Sequence, residues 1–159
     1  MDTLEHLQAH LQGKVVILGI GNTLRGDDAI GSLLAARLKD KVPYIVYDSG
    51  MSPENYLGKV VKDAPDNIII IDAVDFGAKP GEIRVVEGTE LETTNMFSTH
   101  NASISLAINY LKSSLKADII ILVIQPEDVS FTDKLSRQCQ EALDLLENWF
   151  KAFSKKELK

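Results

Sequence analysis

The sequence holds one cysteine, Cys139, among 159 residues. No internal disulfide can form, which points to a reducing compartment. Aromatic residues make up 6% of the chain, too few for a platform that stacks single-stranded nucleic acid. No apolar run reaches the roughly 18 residues of a membrane span. Met1 to His6 has neither the basic region nor the apolar stretch of a signal peptide. Positive charge is scarce as well: 17 Lys and Arg face 23 Asp and Glu, for a net charge of −6. Lys151 to Lys159 carries +3 of that balance, so residues 1–150 stand at −9. Such a body is a poor grip for a polyphosphate backbone. The expectation is a cytoplasmic protein with neither nucleic acid nor membrane as a partner.

What is present is ordinary globular material, 45% hydrophobic and 25% charged, which excludes disorder and coiled-coil architecture. The length suits one domain that hides roughly 69% of its unfolded surface. No repeat, low-complexity segment or dividing linker occurs. Residues 1–159 therefore read as one domain, with an N-terminal extension at 1–13 and a frayed basic tail at 151–159.

Short apolar runs alternate with helical patterns, the mark of a parallel α/β sheet. Val15 to Leu18 predicts a first strand, Tyr44 to Tyr47 a second, Ile68 to Ile71 a central strand buried on both faces, and Ile119 to Ile124 the last. Glu82 to Val86 follows the central strand too soon for a crossover helix, so it is expected antiparallel or at an edge. Helical stripes run over Ile30 to Leu38, Ile104 to Leu115 and Leu135 to Phe153. Leu4, Leu7 and Leu11 suggest a short N-terminal helix. The expected fold is a three-layer α/β/α domain with a mostly parallel twisted sheet and one antiparallel edge strand.

Ligands of such sheets bind beyond the carboxyl ends of the strands, and polar residues gather there. Asn22, Asp27 and Asp28 follow the first strand, Asp72 and Asp75 the central one, and Gln125 the last. Thr99-His100-Asn101 precedes a helix at the same end. Gly19 to Leu24 begins like a dinucleotide fingerprint but lacks its third glycine. Asp27 and Asp28 put negative charge where a phosphate would sit, which also defeats a P-loop reading. One Asp at a helix start is explained by capping; an adjacent pair is not. Asp28, Asp72 and His100 form an O,O,N set able to hold a first-row divalent metal and leave positions open, although spacing alone selects no metal. His6 and His10 lie four apart, as helix ligands do, but no acidic partner is placed near them, and they read as surface residues. Cys139 lies on an apolar helix face and reads as core.

These blocks resemble the hydrogenase maturation endopeptidases, most closely their hydrogenase-3 (HycI-like, formate hydrogenlyase) branch. The resemblance runs from Val15 to Phe150. Its marks are Gly19 to Asp28, Ser52 to Asn55, Ile71 to Asp75, Pro80 to Arg84, Ser98 to Asn101 and Ile124 to Pro126, in that order. Ala29 departs from the glycine of many relatives. The resemblance implies a peptidase, grouped with the aspartic type, that trims the C-terminal extension of the nickel–iron hydrogenase large-subunit precursor. It implies that Asp28, Asp72 and His100 are the catalytic and metal-facing residues. They sense nickel supplied by the precursor, with no organic cofactor. Asn22, Asp27, Asp75 and Thr99 are expected to support them, and a monomer that docks transiently on the precursor is the simplest state. Two other readings use part of the set. A phospho-acceptor receiver also has an acidic pair and a strand-end Asp, but it needs a Lys where Gln125 stands. A small-molecule metallohydrolase needs only the metal ligands.

Overall fold

The computed structural model describes residues 3–90 and 102–157. Its elements are α1 (Thr3–Ala9), β1 (Val15–Gly19), α2 (Ile30–Leu38), β2 (Ile45–Asp48), α3 (Leu57–Asp63), β3 (Asn67–Ala73), β4 (Ile83–Glu87), α4 (Ala102–Ser114), β5 (Asp118–Ile124) and α5 (Arg137–Glu157). Single 3-10 turns at Gly26–Ala29 and Pro53–Tyr56 lead into α2 and α3. Pro53 opens the second of these, where its missing N–H costs nothing.

The strands stand in the order β2-β1-β3-β5-β4. The first four are parallel, and β4 runs antiparallel against β5 at the edge. Both the mostly parallel sheet and the odd edge strand expected from the sequence are present. Strand period explains the two cores. Ile17, Ile69, Ile71, Ile120 and Leu122 pack against the side carrying α1, α2 and α5. Their neighbours Val16, Leu18, Ile68, Ile70, Ile121 and Val123 pack against α3 and α4. Each buried Ile or Leu contributes about 1.5–3 kcal/mol, so β3 and β5, apolar on both faces, anchor the three layers.

Two terminal readings change. From Thr3 onward the N-terminal extension, to which the sequence assigns no role, packs on the domain, with Leu7 and Leu11 buried in the α2/α5-side core. The basic tail is helical through Glu157 rather than frayed. Lys151 pairs with Glu147 at 2.6 Å, and Trp149 stacks on Phe153 with ring centroids 5.4 Å apart. An apolar stripe continuing to Phe153 keeps the helix wound, and Lys155 lies on its exposed side.

The start of α2 decides where the first loop goes. A Cβ on Gly31 would collide with the carbonyl oxygens of Ile20 and Ile71. A Cβ on Gly21 would lie 2.6 Å from the Asp28 carbonyl. Only glycine lets the helix start lie directly on the ends of β1 and β3. Gly31→Ala is therefore expected to cost about 3 kcal/mol through overpacking against backbone that cannot retreat. Urea unfolding checks this as a lower midpoint with an unchanged slope.

Candidate active site

The order β2-β1-β3 makes the gap beyond β1 and β3 a switch point, since the chain leaves these two strands in opposite directions. The backbone is stitched together there. Ile20 N–H donates to the Ile71 carbonyl at 2.9 Å, Gly21 N–H to Gly50 at 2.8 Å, and Asn22 N–H to Asp28 at 3.1 Å. Asp72 sits inside β3, paired with Val123 of β5, one residue before the strand ends. It is 4% exposed. Asp28, half-buried in the turn before α2, is close enough for its charge to act on Asp72.

The two carboxyls share one electrostatic problem. Burial pushes Asp72 well above the usual carboxylate range, and the nearby Asp28 charge pushes it further; the Ala73 backbone N–H offsets only part. Burial also raises Asp28, against opposing pulls from the Asn22 backbone N–H and the Arg25 guanidinium. Two acids that repel each other in a dry corner suit a shared cation, which would relieve both desolvation and repulsion. Thr99 and His100 lie outside the described residues.

Asp27, next in chain to Asp28, turns the other way. It is wholly buried and accepts from the backbone N–H groups of Glu127, Asp128 and Ser136 at 2.9, 3.0 and 2.8 Å. It also accepts from the Ser136 hydroxyl at 2.8 Å. Burial is the largest single influence on its carboxyl and acts upward, but these four donors together hold it below the ordinary range. Its role is to pin the 126–136 loop beside the site. Asn22 accepts from the Leu24 N–H at 2.9 Å and shapes the turn. Asp75 is exposed and takes hydrogen bonds from the Gln125 amide at 3.0 Å and the Gly77 N–H at 3.1 Å.

Two residues have larger roles than their sequence context suggests. Gln125 is 6% exposed; its Oε1 accepts from Phe76 and Ala78 N–H while its Nε2 donates to Asp75. It thereby fixes the loop after β3. Ser136 accepts from the Cys139 N–H at 3.3 Å, as a helix N-cap does, and gives its own proton to Asp27. Its sequence signal is a Ser directly before an apolar periodic helix. Cys139 is core: buried, its thiol donating to the Gln125 carbonyl at 3.4 Å, with burial foremost in pushing its pKa up to about 11. Asp48 and Ser49 form a strand-end turn in which Asp48 accepts from the Ser32 hydroxyl at 2.6 Å and Ser49 donates to the Gly19 carbonyl at 2.8 Å.

Comparison with known proteins places this geometry. The family model for hydrogenase maturation proteases of the HycI type matches residues 29–150. The hydrogenase 3 maturation protease of Escherichia coli K12 is 36% identical over 143 residues, spanning 84% of this chain and 89% of that protein. A putative hydrogenase maturation protease of Methanocaldococcus jannaschii is 33% identical over 129 residues, spanning 74% of this chain and 75% of the relative. Among solved structures, the [NiFe] hydrogenase maturation protease HycI of Thermococcus kodakarensis superposes with a TM-score of 0.85 at 31% identity. That match covers 94% of this chain and 99% of that one. The solution structure of the endopeptidase HycI from Escherichia coli gives 0.77 at 31% identity, covering 88% and 90%.

The two neighbouring acids are expected to respond oppositely to substitution. Asp27→Ala strands three backbone N–H groups and should cost about 3 kcal/mol at neutral pH. Because the folded state holds Asp27 below its unfolded value, its stabilisation is complete above about pH 4 and is lost as the pH falls through the depressed value. Asp72→Asn should instead raise the thermal midpoint of the isolated protein at neutral pH. For this raised carboxyl the ionisation penalty is absent below about pH 4 and grows as the pH rises from there to the raised folded value. The gap between variant and parent should accordingly close on acidification. Calorimetric melting of both variants from acid to neutral pH checks the signs.

Proposed function

Because the chain belongs to the hydrogenase maturation protease family, we propose that it is the endopeptidase that removes the C-terminal extension of a nickel–iron hydrogenase large-subunit precursor once nickel is in place. The observation that carries the reading is the carboxylate pair. Asp72 is buried, its carboxyl raised by desolvation and by Asp28. Such a pair discriminates strongly in favour of a cation delivered to it. In this reading the nickel is part of the substrate. It arrives bound to the client, and Asp28, Asp72 and His100 complete its coordination.

Recognition of the metal and cleavage of the peptide then occur in one encounter. Asp28, half-buried with a raised carboxyl, is the acid placed to take a proton from the attacking water. Water adds to the scissile carbonyl, the C–N bond breaks, and the proton passes to the leaving amine. That carboxylate chemistry is the basis for an aspartic-type grouping. Asn22 and Asp75 hold the loops on either side, Asp27 holds the 126–136 loop, and Thr99 supports the neighbouring His100. The reaction needs no organic cofactor. A monomer in the cytoplasm that docks transiently on its client fits a buried, inert Cys139. Among the described residues no helix is long and apolar enough to cross a membrane.

The client's extension also needs a surface. Leu24, Val129 and Phe131 are 58%, 42% and 80% exposed. The first loop and the 126–136 loop that carry them are joined by Gly26 N–H to the Thr132 carbonyl at 2.8 Å and by Thr132 N–H to Leu24 at 3.0 Å. This apolar rim beside the acidic turn suits a peptide segment. A receiver role is disfavoured by the same geometry, since a phospho-acceptor must meet its donor and Asp72 is buried.

Purified precursor should be cut when loaded with nickel and stay intact without it; equal cutting of both would defeat the nickel-sensing reading. Asp28→Ala and His100→Ala should each lower processing by about 100-fold or more with unchanged circular dichroism. Phe131→Ser should raise the precursor concentration needed for half-maximal cutting while leaving the melting temperature within about a degree or two, as surface substitutions do.

A further inference from the structure

His6 and His10 are not isolated surface residues. Glu87, the last residue of β4, reaches both: its Oε1 lies 2.8 Å from His6 Nε2 and 3.2 Å from His10 Nε2. Among the described residues these three are the metal-capable side chains whose ligand atoms converge, all within 4.8 Å of one another. The helical spacing of His6 and His10 brings their rings to one side, with centroids 5.5 Å apart. The parity of β4 sends Glu87 to the same face as Ile83 and Val85, which pack against the core that α1 enters. The sequence spacing already matched a helical ligand pair; the carboxylate, 77 positions beyond His10, becomes visible only once the fold is formed.

We propose that His6, His10 and Glu87 form a binding site for a first-row divalent metal ion that prefers imidazole, zinc above all. Two neutral imidazoles and one carboxylate are a three-ligand set that leaves a fourth position for water. Ligand atoms around a tetrahedral zinc at about 2.0–2.2 Å stand roughly 3.3 Å apart. The two Glu87 contacts, at 2.8 and 3.2 Å, thus need to open by only tenths of an ångström, and the two imidazole nitrogens already lie within 4.8 Å of each other. The side chains are 33%, 15% and 32% exposed, sheltered enough to strengthen coordination yet open to an entering ion. Among the described residues Glu87 makes ion pairs with these two histidines and with no Lys or Arg. The site is separate from the acids of the switch point. Glu87 pairs with Ile120 on the far edge of the sheet, whereas Asp72 pairs with Val123, three residues further toward the carboxyl end of β5. The bound ion ties α1 to β4 and closes a loop of about 80 residues, which stabilises the folded chain by linkage.

The test uses the full chain stripped with chelator and carrying Asp28→Asn and Asp72→Asn, so that the other acids contribute nothing. Titration calorimetry with zinc chloride should show one ion per chain, and zinc should raise the melting temperature by several degrees. His6→Gln, His10→Gln and Glu87→Gln should each weaken binding by about tenfold or more and remove the thermal shift. Circular dichroism should confirm that each remains folded. Stoichiometric binding unchanged in the His6→Gln/His10→Gln pair would overturn the site. So would the absence of any heat or thermal shift with submillimolar zinc in the folded parent. Because the acids of the proposed protease site are already disabled, either outcome leaves the processing reading untouched.

Discussion

Everything at the carboxyl end of this sheet depends on the approach of α2 to the ends of β1 and β3. Gly31 rests on the carbonyl oxygens of Ile20 and Ile71, a contact that no residue with a Cβ can make without moving backbone. That approach sets the height of the turn before α2, and with it the position of Asp28 over the buried Asp72. A larger residue would lift the helix, let water between the acids and relax the desolvation that raises both carboxyls. The stability lost by crowding two carboxylates is recovered from the surrounding core, where β3 and β5 are apolar on both faces. A crowded acid pair of this kind concentrates strain in one place and is offset elsewhere.

Asp27 and Asp28 show how one peptide unit separates two roles. They share a residue type and a place in the chain, yet one carboxyl meets four donors and falls below the ordinary range while the other meets burial and rises. The donors of Asp27 come from the loop between β5 and α5, so this buried acid decides where that loop lies. Ser136 links the two ends of this arrangement. It caps α5 with one lone pair and gives its proton to Asp27. Gln125 does the equivalent work on the other side by tying Asp75 and the backbone of Phe76 and Ala78 to the end of β5.

β1, β3 and β5 were legible because they are nearly continuous apolar runs, a pattern that suits strands covered on both faces. Glu82 to Val86 was legible as the exception because too few residues separated it from the strand before. Asp28 and Asp72 were expected at the carboxyl end of the sheet, one after the first loop and one at the end of the central strand, and the structure puts both there. What stayed hidden was direction. Nothing in Asp27-Asp28 says which carboxyl faces the loop and which the strand, because that choice is made by N–H groups a hundred residues away. The N-terminal extension was hidden for the same reason, since Leu7 and Leu11 declare a helix but not the surface that receives it. His10 and Glu87 are likewise partners only in three dimensions.

That last pairing follows from how the edge of the sheet is finished. β4 is the outer strand, and its face toward the α2/α5-side core carries the partly buried Ile83 and Val85, which need a cover. Packing α1 over its inner face solves the problem with Leu7 and Leu11, but a helix of seven residues is too short to be stable by itself. Tertiary contacts must therefore hold it, and at its rim those contacts are polar. His6, His10 and Glu87 sit where the apolar contact ends, half-buried, each satisfied by another member of the group. The acids at the switch point are crowded and mutually repelling. The histidines and carboxylate at the opposite edge are complementary and already in contact. Under the two proposals above, a cation would relieve the first group and reinforce the second, for distinct physical reasons.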